Sequence, residues 1–115
     1  MLPKHRRLTA LQVREVLKEG YGRRATYLSM RLQASKVPLK VSAVASKKVA
    51  PGAVERNRLR RAVYRALRSP TLSVLGHSVL NARGSAVIFV QKIPKEDLSG
   101  VFAQDIALLF KNISI

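Results

Sequence analysis

Apolar positions along this chain change period several times, and each change marks an element. Val13, Val16 and Leu17 share one face of a helix predicted over residues 9–19. Its start reads as a capping box: the Thr9 hydroxyl can accept from the Gln12 amide while Gln12 reaches back, with Leu8 and Val13 as the accompanying staple. Gly20 suits the left-handed position that ends a helix. Residues 25–33 alternate, with Tyr27, Ser29 and Arg31 against Leu28, Met30 and Leu32, which is a strand pattern. Residues 34–38 read as a turn, after which Leu39, Val41, Ala43 and Ala45 alternate in a second strand. Pro51-Gly52 breaks the chain before a second helix, which runs from Ala53 or Val54 to Arg68 and is stopped by Ser69-Pro70. Residues 71–84 are ambiguous: Leu72, Val74, Leu75, Val79 and Leu80 could form a short helix broken at Gly76, and residues 82–85 read as a loop. Ala86–Val90 is apolar throughout, the mark of a central strand. A last helix is predicted over 96–112, with Leu98, Val101, Phe102, Ile106 and Leu109 at helical spacing and Asp105 as the one polar member of the series. Phe89, Phe102 and Phe110 read as core.

The second helix has two unlike faces. With Arg56 at 0° and about 100° per residue, Ala62, Ala66, Leu59, Val63 and Leu67 fall between about 240° and 20°. Arg58, Arg60, Arg61, Arg65 and Arg68 fall on the opposite arc with Asn57 and Tyr64. One arc can pack on a sheet, and the other offers planar guanidinium forks suited to phosphates, with Tyr64 as a further stacking surface. A merely solvated charged face would intersperse acids for i,i+4 pairs. After Glu55 this helix contains none.

Composition narrows the partner. The 115 residues carry a formal net charge of +16, with 47% apolar residues. That length and apolar content predict one domain over 1–115, with residues 1–7 a basic tail. The charge is concentrated in residues 1–68, and it calls for a polyanion, nucleic acid before an anionic membrane. There are no cysteines, hence no disulfide or thiolate metal site. His5 and His77 stand without the carboxylate or Cys neighbours that metal ligation or acid–base catalysis needs. No apolar run reaches the length of a membrane span, and no secretory signal follows the basic N-terminus, so a cytoplasmic location is expected.

Ser46-Lys47-Lys48 followed by Ala53-Val54, Arg56-Asn57-Arg58-Leu59-Arg60-Arg61 resembles the signature of the bacterial ribonuclease P protein component. The resemblance extends over nearly the whole chain, through Arg7-Leu8, Lys18-Glu19-Gly20, the apolar strand and the last helix. It implies an α+β fold, a two-layer αβββαβα sandwich like the second domain of ribosomal protein S5, with a left-handed βαβ crossover against the usual right-handed rule. It implies a subunit that binds the catalytic RNA and the precursor-tRNA 5′ leader and promotes removal of that leader. The chemistry would belong to the RNA and its Mg²⁺ ions, so that the protein holds no cofactor and no catalytic residue. No membrane and no obligate protein partner are implied.

By motif match, Lys47, Lys48, Arg56, Asn57, Arg58, Arg60 and Arg61 would face the catalytic RNA, with Arg65 and Arg68 continuing the same arc. The family's leader cleft lies between the first helix and the sheet and usually carries aromatics. Here the matching positions are Val13 and Leu17 on the helix and Tyr27, Met30 or Arg31 on the strand, so leader stacking is expected to be weaker or differently placed. A ribosomal-type RNA binder and a DNA-binding helix module are the competing function classes.

Overall fold

Thr9 starts the first helix as expected. A computed structural model describes residues 8–68 and 83–110, without the side chains of 34, 36–38, 83 and 110. Helix α1, Ala10–Glu19, opens on the full capping box: Thr9 Oγ accepts from the Gln12 amide at 3.3 Å, and Gln12 Oε1 accepts from the Thr9 amide at 2.9 Å. Gly20 ends the helix differently from the expectation. Its φ of −76° and ψ of 165° are extended, so no left-handed turn is made. Glycine is needed there for room, because a Cβ would lie 2.6 Å from the Val16 carbonyl oxygen and 3.0 Å from that of Leu32.

That close approach feeds directly into β1, Tyr21–Arg24, a strand the residue pattern did not reveal. It pairs antiparallel with β2, Leu28–Pro38, which runs on through the segment expected to turn. Strand β3, Lys40–Ala45, helix α2, Ala53–Leu67, strand β4, Arg83–Val90, and helix α3, Leu98–Phe110, complete the order. Residues 83–85, expected as loop, are the first rungs of β4. The sheet order is β1-β2-β4-β3, with β4 antiparallel to β2 and parallel to β3. The apolar run at 86–90 is thus internal, as its lack of a polar face suggested. The basic N-terminal residues, His5, His77, Ser69-Pro70, residues 71–82 and the side chain of Phe110 lie outside the described residues.

Register sorts the side chains into two faces. Leu28, Met30 and Leu32 sit opposite Val90, Ile88 and Ala86, which in turn sit beside Ala45, Ala43 and Val41. This face packs on α2 through Leu59, Ala62, Val63, Ala66 and Leu67, and on α3 through Phe102, Ala103, Ile106 and Leu109. The other face carries Arg24, Ser29, Arg31, Gln33, Ser85, Val87, Phe89 and Ser42. Helix α1 covers only part of it. Val16 and Val87 are fully buried yet stand apart from the main core, and Gln33 Nε2 donates to Glu15 at 3.2 Å.

Asp105 is the buried polar residue of α3, 4% exposed. Its Oδ2 accepts from the Tyr27 and Leu28 amides at 2.6 and 3.0 Å, which binds the start of β2 to the helix layer. Asp105→Ala would leave two amides without an acceptor. We expect it to lower the unfolding free energy by about 2–4 kcal/mol, read as a drop in the urea midpoint, with Asp105→Asn losing less because it keeps an oxygen acceptor. An unchanged midpoint for the alanine variant would show that water replaces the carboxylate at no cost.

Candidate nucleic-acid interface

Helix α2 folds because its apolar arc has a sheet to cover, and that burial pins its charges outward. Asn57, Arg58, Arg60, Arg61, Arg65 and Arg68 are all exposed, as are Lys47 and Lys48 in the loop before the helix. Lys47 and Lys48 precede the N-terminal end of the helix, and Arg65 and Arg68 lie at its C-terminal end. Glu55, the one acid of the helix, is taken up by Arg58, whose Nη2 and Nε donate to its two oxygens at 2.7 and 3.1 Å. Those hydrogen bonds hold the Glu55 carboxyl below its ordinary range and raise the Arg58 guanidinium. The pair is therefore weakened as acid protonates Glu55, and, being exposed, it is also weakened by salt. Arg60, Arg61 and Arg65 meet no acid among the described residues. They are left as charges seeking an anion.

Two of the residues expected to face RNA, Arg56 by motif match and Tyr64 by its place on the basic arc, behave otherwise. Arg56 is half-buried and its Nη1 donates to the carbonyl oxygens of Ala50 and Pro51. Tyr64, expected as a stacking surface, is only 4% exposed. Its hydroxyl accepts from the Ala43 amide at 3.0 Å. Ala43 lies on β3, an edge strand, where alternate amides point away from the sheet and need a partner from elsewhere. The tyrosine caps that edge, so it is withdrawn from the exposed arginine face. A helical projection assigns a direction but not the reach of a long side chain over a strand edge.

The α2 arginines also form one wall of a hollow of about 510 Å³, with Arg58, Arg61 and Arg65 facing Lys95, Glu96 and Asp97 of the β4–α3 loop. Asp97 has a φ of 49° and turns its Oδ1 toward the Gly100 amide at 3.3 Å, so it serves as the cap of α3. A Cβ at residue 100 would meet that carboxylate, so a larger residue there would have to displace the Asp97 side chain from its capping position.

A second surface opens on the far side of the sheet, where α1 leaves the strands uncovered. Gly22, Arg23, Arg24, Ser29, Arg31, Phe89 and Gln91 line an open groove of about 450 Å³. Gln91 Nε2 donates to Ser29 Oγ at 2.7 Å on its floor. Arg31 reaches back to the Gly20 carbonyl, while its Nε is buried without a partner among the described residues.

Of the sequence-chosen leader residues, Arg31 lies in this groove. Met30 borders it through the strand, but its side chain is 1% exposed and belongs to the core. Tyr27 packs against the α2–α3 side of the sheet, and no groove-lining residue comes from α1, where Val13 is half-buried and Leu17 is 41% exposed. Phe89, expected in the core, is instead the half-exposed aromatic of the groove. An all-apolar run has no period from which to tell its two faces apart, and only the pairing Ser29↔Phe89 assigns it.

Among the described residues no three His, Asp or Glu side chains gather as metal ligands, and no helix is long and apolar enough to cross a membrane. The sequence model of the ribonuclease P family matches residues 2–101. Among curated protein sequences, no match reaches significance. The fold resembles the RNase P protein from Thermotoga maritima, with a TM-score of 0.73, 21% identity and coverage of 94% of this chain and 97% of that one. It also resembles a Staphylococcus aureus RNase P protein mutant with defective mRNA degradation activity, with a TM-score of 0.72, 16% identity and coverage of 94% and 87%. A Staphylococcus aureus RNase P protein structure at 2.0 Å gives a TM-score of 0.65 at 16% identity, covering 92% and 93%.

Two variants separate the roles on α2. Arg60→Ala with Arg61→Ala should weaken binding to structured RNA and flatten its salt dependence by a slope of about 0.7–0.9 per lost phosphate contact; an unchanged slope in a salt titration would mean these arginines touch no phosphate. Tyr64→Phe should lower the unfolding free energy by about 1 kcal/mol and leave that slope as it was. A variant with native stability and a reduced slope would return Tyr64 to the RNA side.

Proposed function

The chain belongs to the ribonuclease P protein family, and from that premise we propose that it is the RNA-binding subunit of a ribonuclease P ribonucleoprotein. In this role it binds the catalytic RNA and the 5′ leader of precursor tRNA and promotes endonucleolytic removal of the leader, in the cytoplasm. The observation that carries the proposal is the rigid arginine face of α2, whose single acid is already consumed by Arg58. Asn57, Arg60, Arg61, Arg65 and Arg68 with Lys47 and Lys48 would meet the phosphates of the catalytic RNA.

Mg²⁺ held by the catalytic RNA would supply the activated water for cutting the phosphodiester, and the residues of this chain would bind and position RNA. The protein's arginines lower the repulsion between RNA strands that would otherwise demand more Mg²⁺. The groove gives the leader a place on the opposite face. Phe89 offers a stacking plane, Arg24 and Arg31 offer cations, and an open groove without a complementary strand suits single-stranded nucleic acid. With Val13 and Leu17 on α1, the stacking function passes from the helix to the floor of the sheet.

Reconstitution with a cognate catalytic RNA checks both halves. Native protein should lower the Mg²⁺ needed for precursor-tRNA cleavage, and no rescue at low Mg²⁺ would refute the subunit role. Phe89→Ala should reduce the preference for precursor over mature tRNA by about tenfold while affinity for the catalytic RNA holds; an undiminished preference would move the leader out of the groove.

A further inference from the structure

Arg56 stands apart from the other cations of α2. Its neighbours Asn57, Arg58, Arg60 and Arg61 are exposed, whereas Arg56 is half-buried. Its Nη1 donates to Ala50 O at 3.0 Å and to Pro51 O at 2.6 Å. A cation in the first turn of a helix meets the positive end of the helix dipole, so this is a poor place for one without compensation. The two carbonyls, both in the loop between β3 and α2, provide it.

The same loop is fastened at its other end by Ser46. The Ser46 carbonyl accepts from the Val49 and Ala50 amides at 3.2 and 3.0 Å, and its hydroxyl accepts from Val49 at 3.4 Å. Ala50 is buried in the core and Val49 packs against it. Between these two fastenings only Lys47 and Lys48 project into solvent at the apex. A loop so held presents two ammonium groups in one place before any ligand arrives, which spares the ordering cost at binding.

We propose that Arg56 is a positioning residue: it takes no phosphate itself but clamps the Ala50–Pro51 carbonyls so that Lys47 and Lys48 stand ready as phosphate contacts at the head of α2. This rests on the RNA-binding function proposed above. The Ser-Lys-Lys and Arg-Asn-Arg segments then form one device. Ser46 and Arg56 fasten it, while Lys47, Lys48, Asn57 and Arg60 make the contacts.

A mutant cycle on the full chain tests this, with an in vitro transcribed bacterial ribonuclease P RNA as probe and affinity measured across a salt series. Arg56→Ala should weaken binding about tenfold, and Arg56→Gln, neutral but still able to donate to a carbonyl, should recover most of that loss. In a background of Lys47→Ala with Lys48→Ala, Arg56→Ala should change affinity by less than about twofold and leave the salt slope unaltered. If Arg56 binds its own phosphate, the glutamine variant is as weak as the alanine one. The slope then falls by a further 0.7–0.9 or so in the lysine-free background, and the inference is overturned while the RNA-binding function stands. A native chain that fails to bind the RNA overturns that function and this inference together. Unfolding midpoints for each variant separate lost contacts from lost fold.

Discussion

The amides of Tyr27 and Leu28 enter the sheet pointing at one buried oxygen of Asp105, and much of the molecule follows from that contact. A buried carboxylate accepting two backbone donors is costly to displace, so it sets where β2 begins relative to α3. Strand β2 then fixes β4 by register, Leu28 opposite Val90 and so on along the ladder. A slip of one residue would exchange the two faces, driving Ser29, Arg31 and Phe89 toward the helices and Met30 and Ile88 out of the core. The same contact that completes the core therefore also decides which side chains line the groove.

Local chemistry was readable where it is self-contained. The Thr9 box needs four consecutive residues, and the two arcs of α2 need only its own periodicity, so both are visible in the chain. The internal place of β4 is likewise visible, because residues 86–90 contain no polar face to spare. What escaped depends on a partner far along the chain. Tyr21–Arg24 has no apolar alternation and becomes a strand only beside β2. Tyr64 looks outward on a helical wheel until the bare Ala43 amide of an edge strand is placed beneath it. Gly20 reads as a left-handed cap, but its real constraint is the nearness of the Leu32 backbone. Asp105 was visible as an oddity in an apolar series, and its function appears only when β2 is laid against it.

The arginine face is held in place against its own repulsion. The cations of α2 gain little from one another; Glu55 relieves Arg58, while Arg60, Arg61 and Arg65 have no acid partner among the described residues. Burial of Leu59, Val63, Ala66 and Leu67 is what keeps the helix together. Interaction energy toward an anion is thus stored as unpaired charge on a rigid support, and little of it has to be spent on ordering the protein at the moment of binding. Arg56 shows the limit of reading charge as surface: a cation in the middle of a basic motif can turn a guanidinium nitrogen back onto two backbone carbonyls.

The arginine face and the Phe89 groove lie on opposite sides of one sheet, separated by the strands and by a single helix about 10–12 Å across. Layer thickness is set by backbone geometry and close packing, and it hardly varies with the side chains that fill it. The domain consequently acts as a caliper. Two polyanionic segments gripped on its two jaws would be held at a spacing that neither segment chooses, and most substitutions within the core would leave that gauge unchanged.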